Sequence, residues 1–164
     1  MLQIKAFFDD KTSTVTYVVW DSATREAAII DPVLDYEPHA ARLTTTSVDS
    51  VLDVAADLGL KVVWALDTHA HADHLSATHH IHEVTGAKVG IGARITEVQR
   101  VFSSMFHATD VCPNGGAFNE LFDDGETFAL GDLTVRVMHT PGHTPACVTY
   151  VIDDAAFVGD TMFM

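Results

Sequence analysis

The densest chemistry in the chain lies in THAHADH, Thr68 to His74. Three imidazoles and a carboxylate stand there, at His69, His71, Asp73 and His74. Imidazole nitrogens and carboxylate oxygens are the donors that zinc, iron and manganese accept. Side chains two apart on an extended segment point the same way, so His69 and His71 can converge on one ion. Asp73 and His74 come next, at an expected helix start, and can face a second ion or its bound water. Two later pieces offer the same donors, His143 in TPGHTPA and Asp160 in FVGD. Imidazoles and carboxylates clustered without a cation would cost on the order of several kcal/mol in desolvation. A metal centre is therefore expected.

These donors need a scaffold that brings distant residues to one edge. KVVWAL (Lys61 to Leu66) is a continuous apolar run, the pattern of a strand buried on both faces, and the histidines come directly after it. LTVRVMHT precedes His143 and AAFVGD carries Asp160, so three strand ends deliver the candidate ligands. Strand ends are where open α/β sheets place their sites. LQIKAFF, STVTYVVW, EAAIID, AKVGIG, ETFAL and CVTYVID also read as strands. Helical spacing runs through Val48 to Gly59, and a helix carrying Ile95, Val98 and Phe102 comes after AKVGIG. Asp73 is the expected cap of a helix reaching about Thr85, with Gly86 ending it and His74, Ala77, Ile81 and Val84 facing inward. Ser103 to Asn119 reads as an irregular excursion. Strands and helices mix throughout, which implies an α/β or layered α+β protein.

THAHADH, TPGHTPA and VGD, in this order, resemble the metallo-β-lactamase-fold superfamily and its H-x-H-x-D-H signature. The resemblance runs along nearly the whole chain from Ile29. IIDP, THAHADHL and HTPGHTPACVTYVI are most similar to the persulfide (sulfur) dioxygenases and their relatives near glyoxalase II. It implies a layered αββα sandwich, of which residues 1–164 would form a single domain holding mainly the N-terminal half and the first strands of the second half. GDTMFM comes after a strand with nothing to cover it, so a domain incomplete at its C-terminus is expected, completed by a missing half or by another copy in a homo-oligomer. In binuclear members, the positions matching His69, His71 and His143 bind one metal, those matching Asp73 and His74 bind the other, and the Asp160 position bridges. In persulfide dioxygenases a single iron(II) is held by the positions matching His69, His143 and Asp160, a two-histidine, one-carboxylate set suited to O₂.

Three functions are expected from this resemblance and these residues. The first is Fe(2+)-dependent oxidation of glutathione persulfide to sulfite and glutathione, with His71, Asp73 and His74 ordering water or ligands. The second is a metallohydrolase of a thioester or lactone, with one or two Zn(2+) activating water and Asp73 as the catalytic residue that orients it. The third is an inactive metal-binding fragment.

The other residues carry milder expectations. His79, His80 and His82 lie off the inward helical stripe and are not expected to be ligands. His139 reads as a core or supporting histidine, and His39 and His107 as surface residues. Cys112 and Cys147 read as free thiols in a reducing compartment. Asp31, in IIDP, can either orient a histidine or simply shape the turn before Pro32. The formal net charge of −14, with nine Lys and Arg and no basic cluster, argues against nucleic acid as a partner. A small-molecule thiol, persulfide or thioester is the expected partner instead. No apolar run is long enough for a membrane span and no signal peptide succeeds Met1, so a cytoplasmic protein is expected.

Overall fold

The computed structural model describes residues 1–108 and 113–162. Its first sheet begins with three antiparallel strands, β1 (Leu2–Asp9), β2 (Thr14–Asp21) and β3 (Glu26–Ile30). Next come β4 (Val33–Glu37), β5 (Arg42–Thr44) and helix α1 (Thr46–Asp57). Strand β6 (Lys61–Leu66) pairs parallel with β3. After it lie β7 (Leu75–Ser76), α2 (Thr78–Thr85), β8 (Lys88–Gly92), α3 (Ile95–Phe106) and β9 (Glu120–Phe122). The six-stranded sheet has the order β1-β2-β3-β6-β8-β9, parallel from β3 onward. A second, antiparallel sheet holds β10 (Thr127–Leu130), β11 (Leu133–His139), β12 (Val148–Ile152) and β13 (Ala155–Phe157) in chain order. A small third sheet runs β5-β4-β7.

Hydrophobic patterning explains the layers. On one face of the first sheet, Val19, Ile30, Trp64, Leu66 and Phe122 meet Val135, Val137, Tyr150 and Ile152 of the second sheet in one buried cluster. The opposite face buries Val18, Ile29, Val62 and Ala65 against Val48, Val51 and Ala55 of α1 and Ile81 of α2. From Val62 to Leu66 strand β6 is apolar because both of its faces are covered, as expected of a strand between parallel neighbours. The layers run helix, sheet, sheet, the α/β architecture that the motifs imply. No described helix is long and apolar enough to cross a membrane.

Two local expectations are corrected. Helix α2 starts at Thr78 rather than Asp73. The Asp73 carboxylate is taken up by Thr14 and His74, so it caps nothing, and Ser76 Oγ accepts the Thr78 N–H at the real start. His74 therefore lies before the helix. Val84 is 61% exposed, because a helix this short packs through Ala77, Thr78 and Ile81 alone. Helix α3 runs on to Phe106, four residues into the stretch expected to be irregular. Cys112 lies outside the described residues.

Candidate metal centre

Strand β6 ends at Leu66, but the sheet keeps its grip on the next residues. Asp67 N–H donates to Gly90 O, and Asp67 O accepts the buried Tyr150 hydroxyl at 2.9 Å. Thr68 O accepts Val148 N–H at 2.9 Å. His69 thus emerges at a fixed point between the two sheets and is 1% exposed.

Asp31 organises the ligand segment beyond Asp67. It sits at the end of β3 with φ of 51°, a conformation uncommon for a non-glycine residue, held by Thr16 Oγ1 on its carbonyl and by its own N–H on Leu66 O. Its buried carboxylate accepts Thr68 N–H at 2.7 Å, the Thr68 hydroxyl at 2.9 Å and His71 Nε2 at 3.0 Å. The Thr68 hydroxyl has one proton, and that proton goes to Asp31. Toward His69 Nδ1, 3.0 Å away, it can only accept. His69 therefore carries its proton on Nδ1 and presents a lone pair on Nε2. Burial, with the nearby charge of His71, pushes the His69 pKa down to about 4, so the ring is neutral near pH 7.

That Nε2 atom is buried with no hydrogen-bond partner. An orphaned buried acceptor costs about 1–3 kcal/mol. Opposite it, Asp160 Oδ2 lies 3.8 Å from His69 Nε2 and 3.5 Å from His143 Nε2. These separations are long for hydrogen bonds. Two ligands each about 2.1 Å from a shared ion sit about 3.0–3.5 Å apart, close to what is seen. Ligand atoms of all three residues fall within 4.8 Å of one another. Asp160 reaches this point from a 3-10 turn, Gly159–Thr161. Gly159 has φ of 49° and packs against Thr68 and His69, where a Cβ would overlap the Thr68 hydroxyl.

A second cluster, His71, Asp73 and His74, also has ligand atoms within 4.8 Å of one another. His71 lends Nε2 to Asp31, leaving Nδ1 as its other donor atom. Burial pulls the His71 pKa down, but the Asp31 hydrogen bond and charge outweigh it and push it up to about 8. His74 Nδ1 lies 3.2 Å from Asp73 Oδ2 and 3.3 Å from Thr14 Oγ1. Its Nε2 is the second buried side-chain atom without a partner among the described residues. A groove of about 460 Å³ opens onto this cluster, walled by the β1–β2 turn at Asp9, Lys11 and Thr12 and by Leu34 and Tyr36 of β4. The donor types and the two orphaned imidazole nitrogens fit a cation.

The structure thus brings His69, His143 and Asp160 into one group and His71, Asp73 and His74 into its neighbour. The His69 and His71 ring centroids are 4.1 Å apart. The remaining histidines lie elsewhere. His79 is exposed beside Glu83, His80 bonds Asp49 of α1, and His82 bonds Ala87 O. His139 bonds Pro145 O, and His39 and His107 are exposed. Cys147 is a buried thiol bonded to Thr144. Asp31 takes the orienting role rather than a mere turn role. Sequence reasoning missed Thr14, Thr68, Tyr150 and Asp67. Only Asp67 left a signal, a carboxylate closing an otherwise apolar strand.

A family model described as the metallo-beta-lactamase superfamily matches residues 9–164. The chain belongs to that superfamily. A probable metallo-hydrolase of Burkholderia pseudomallei (strain 1710b) is 47% identical over 174 residues, covering 99% of this chain and 59% of that protein. Glyoxylase B2 of Dictyostelium discoideum is 40% identical over 165 residues, covering 99% of this chain and 56% of its own length. The human mitochondrial persulfide dioxygenase ETHE1 is 30% identical over 163 residues, covering 98% and 53%. The crystal structure of ETHE1 from Myxococcus xanthus superposes with a TM-score of 0.78 at 30% identity, covering 99% of this chain and 59% of that one. The chain spans somewhat over half the length of these curated relatives. Metallo-beta-lactamase superfamily members are metal-dependent hydrolases and oxygenases of small molecules, and this chain shares their fold and carries candidate metal-binding residues.

Proposed function

We propose that this chain is an iron(II)-dependent persulfide dioxygenase domain, with His69, His143 and Asp160 as the iron ligands. The observation that carries the reading is the convergence of two imidazoles and one carboxylate on a point where His69 Nε2 is buried and unpartnered. Such a three-donor set leaves positions open, the arrangement suited to non-haem iron and O₂. The net reaction is RSSH + O₂ + H₂O → RSH + sulfite + 2 H⁺, with glutathione persulfide as the proposed substrate. Bound iron(II) would supply the electron chemistry that O₂ requires and a seat for the persulfide sulfur.

The protein residues hold and orient. Asp31 and Thr68 fix the His69 tautomer so that Nε2 is a lone pair at neutral pH. Asp31 also holds His71 by Nε2, and Thr14 steadies Asp73 and His74. His71, Asp73 and His74 then line the groove mouth, where they bind water or a substrate polar group. Supporting the reading further are the human and Myxococcus xanthus ETHE1 proteins, each 30% identical to this chain.

A second reading rests on the other cluster. His74 Nε2 is also buried and unpartnered, and the relative at 47% identity is a probable metallo-hydrolase. Two zinc ions across both clusters would make a thioester or lactone hydrolase, with Asp73 orienting the attacking water. The test is anaerobic reconstitution with iron(II), then O₂ uptake on adding glutathione persulfide. We expect one sulfite formed per O₂ consumed. No uptake, together with thioester hydrolysis by the two-zinc form, overturns the dioxygenase reading in favour of the second.

A further inference from the structure

The stretch from Asp67 to Ala77 carries four of the six candidate ligands. Apart from the two-residue β7, it has no regular backbone of its own. Its first half is pinned by Asp31, which holds Thr68 and His71. Its second half must be brought back to the sheet before α2 begins. The strand pairing available for that is short, Val33 with Ser76 and Leu34 with Leu75.

We propose that Asp67 is a positioning residue that clamps the two ends of this loop and so presets His71 and His74 for a metal ion. The inference rests on the metal centre assigned to these histidines. Asp67 is the last residue held by the first sheet, and its side chain is buried at 4% exposure. Its carboxylate spans the base of the loop. Ser76 Oγ donates to it, 2.8 Å from Oδ1 and 3.0 Å from Oδ2, and Thr78 Oγ1 lies 3.4 Å from Oδ2. Ser76 Oγ in turn accepts the Thr78 N–H that opens α2. One buried carboxylate thereby ties the end of β6, the end of the loop and the start of the helix. It also lies beside the ligand layer, since Asp67, Asp31 and His71 offer atoms within 4.8 Å of one another.

A buried carboxylate costs desolvation energy that these hydroxyls only partly offset. An apolar residue in its place would leave the Ser76 and Thr78 hydroxyls without their acceptor. Loop preorganisation explains why an acceptor is placed here. Groups that orient metal ligands from behind typically contribute about 10–100-fold to metal affinity.

The test is cobalt(II) titration of the full chain against a competing chelator. The visible spectrum of the cobalt form and the melting temperature of the metal-free form are recorded alongside. Asp67→Ala should weaken cobalt binding by about 10–100-fold and alter the spectrum. Asp67→Asn keeps an oxygen acceptor for the Ser76 hydroxyl and should stay within about threefold of wild type. Ser76→Ala should weaken binding as well, and the double variant should be no worse than Asp67→Ala alone, because both act through one contact. Wild-type affinity and spectrum in Asp67→Ala overturn the proposal, whatever the melting temperature does. Asp67→Asn as weak as Asp67→Ala also overturns it, since charge rather than the clamp would then be at work. If Asp67→Ala does not fold, unchanged affinity in Ser76→Ala overturns it. Wild-type protein that takes up no cobalt overturns the metal-centre reading and this proposal together, an outcome distinct from normal wild-type binding with unaffected variants.

Discussion

His69 Nε2 is a buried lone pair with no hydrogen to accept. Its neighbours Thr68 and Asp31 make it so, by taking the other ring nitrogen and fixing the tautomer. A cation is the natural occupant of that position. His69→Ala should therefore lower metal affinity by more than the roughly 10–100-fold that outlying partners cost. His79→Ala, whose side chain is 78% exposed ten residues further along, should leave affinity unchanged. Isothermal titration of both variants checks this contrast. The HAHADH motif was readable at this scale because its donors are close in sequence and come directly after an apolar strand. Asp31 was readable only as an alternative, since a carboxylate before proline is also a common turn residue. Thr14 and Thr68 were not readable, because a threonine hydroxyl gives no sign in sequence of what it will bond.

At the scale of elements, the long apolar strands and the strand ends bearing ligands were legible. Burial on both faces leaves an unmistakable pattern in β6, and β11 alternates buried Val135 and Val137 with exposed Thr134 and Arg136. The start of α2 was not legible. Asp73 carries a strong capping signal, but Thr14, far away in the chain, competes for its carboxylate and wins. Short strands such as β5, β7 and β9 exist through pairing partners rather than local propensity. Another long-range tie gives a pH prediction. Asp21, at the end of β2, accepts the backbone N–H of Asp132 in the β10–β11 turn and of Ala23, joining the two sheets. These bonds hold its carboxyl well below the usual carboxylate range. A depressed carboxylate stabilises the fold above its unfolded pKa of about 3.9 and loses that contribution as pH falls through its folded value. Asp21→Asn should melt a few degrees below wild type at pH 7, and the gap should narrow as pH drops toward about 2. Thermal denaturation across that range measures it.

For the whole molecule, two sheets and a helical layer meet at one edge, and the candidate ligands come from three separate points along it. Metal binding should then be linked to global folding, because the unfolded chain keeps His69, His143 and Asp160 apart. Saturation at about 100 times the dissociation constant adds about 2.7 kcal/mol. For a chain of this size that raises the melting temperature by about 5–10 °C, and a chelator should reverse it. Calorimetry with and without metal makes the comparison. The fold family was readable from three short motifs, whereas the choice between one metal and two was not, because both clusters use the same donor types. Metal analysis of freshly purified protein, wild type beside His143→Ala and Asp160→Ala, addresses that choice most directly. A single iron centre predicts about one iron per chain in the wild type and its loss in both variants. Two zinc ions per chain, or a metal content that both variants retain, would contradict it.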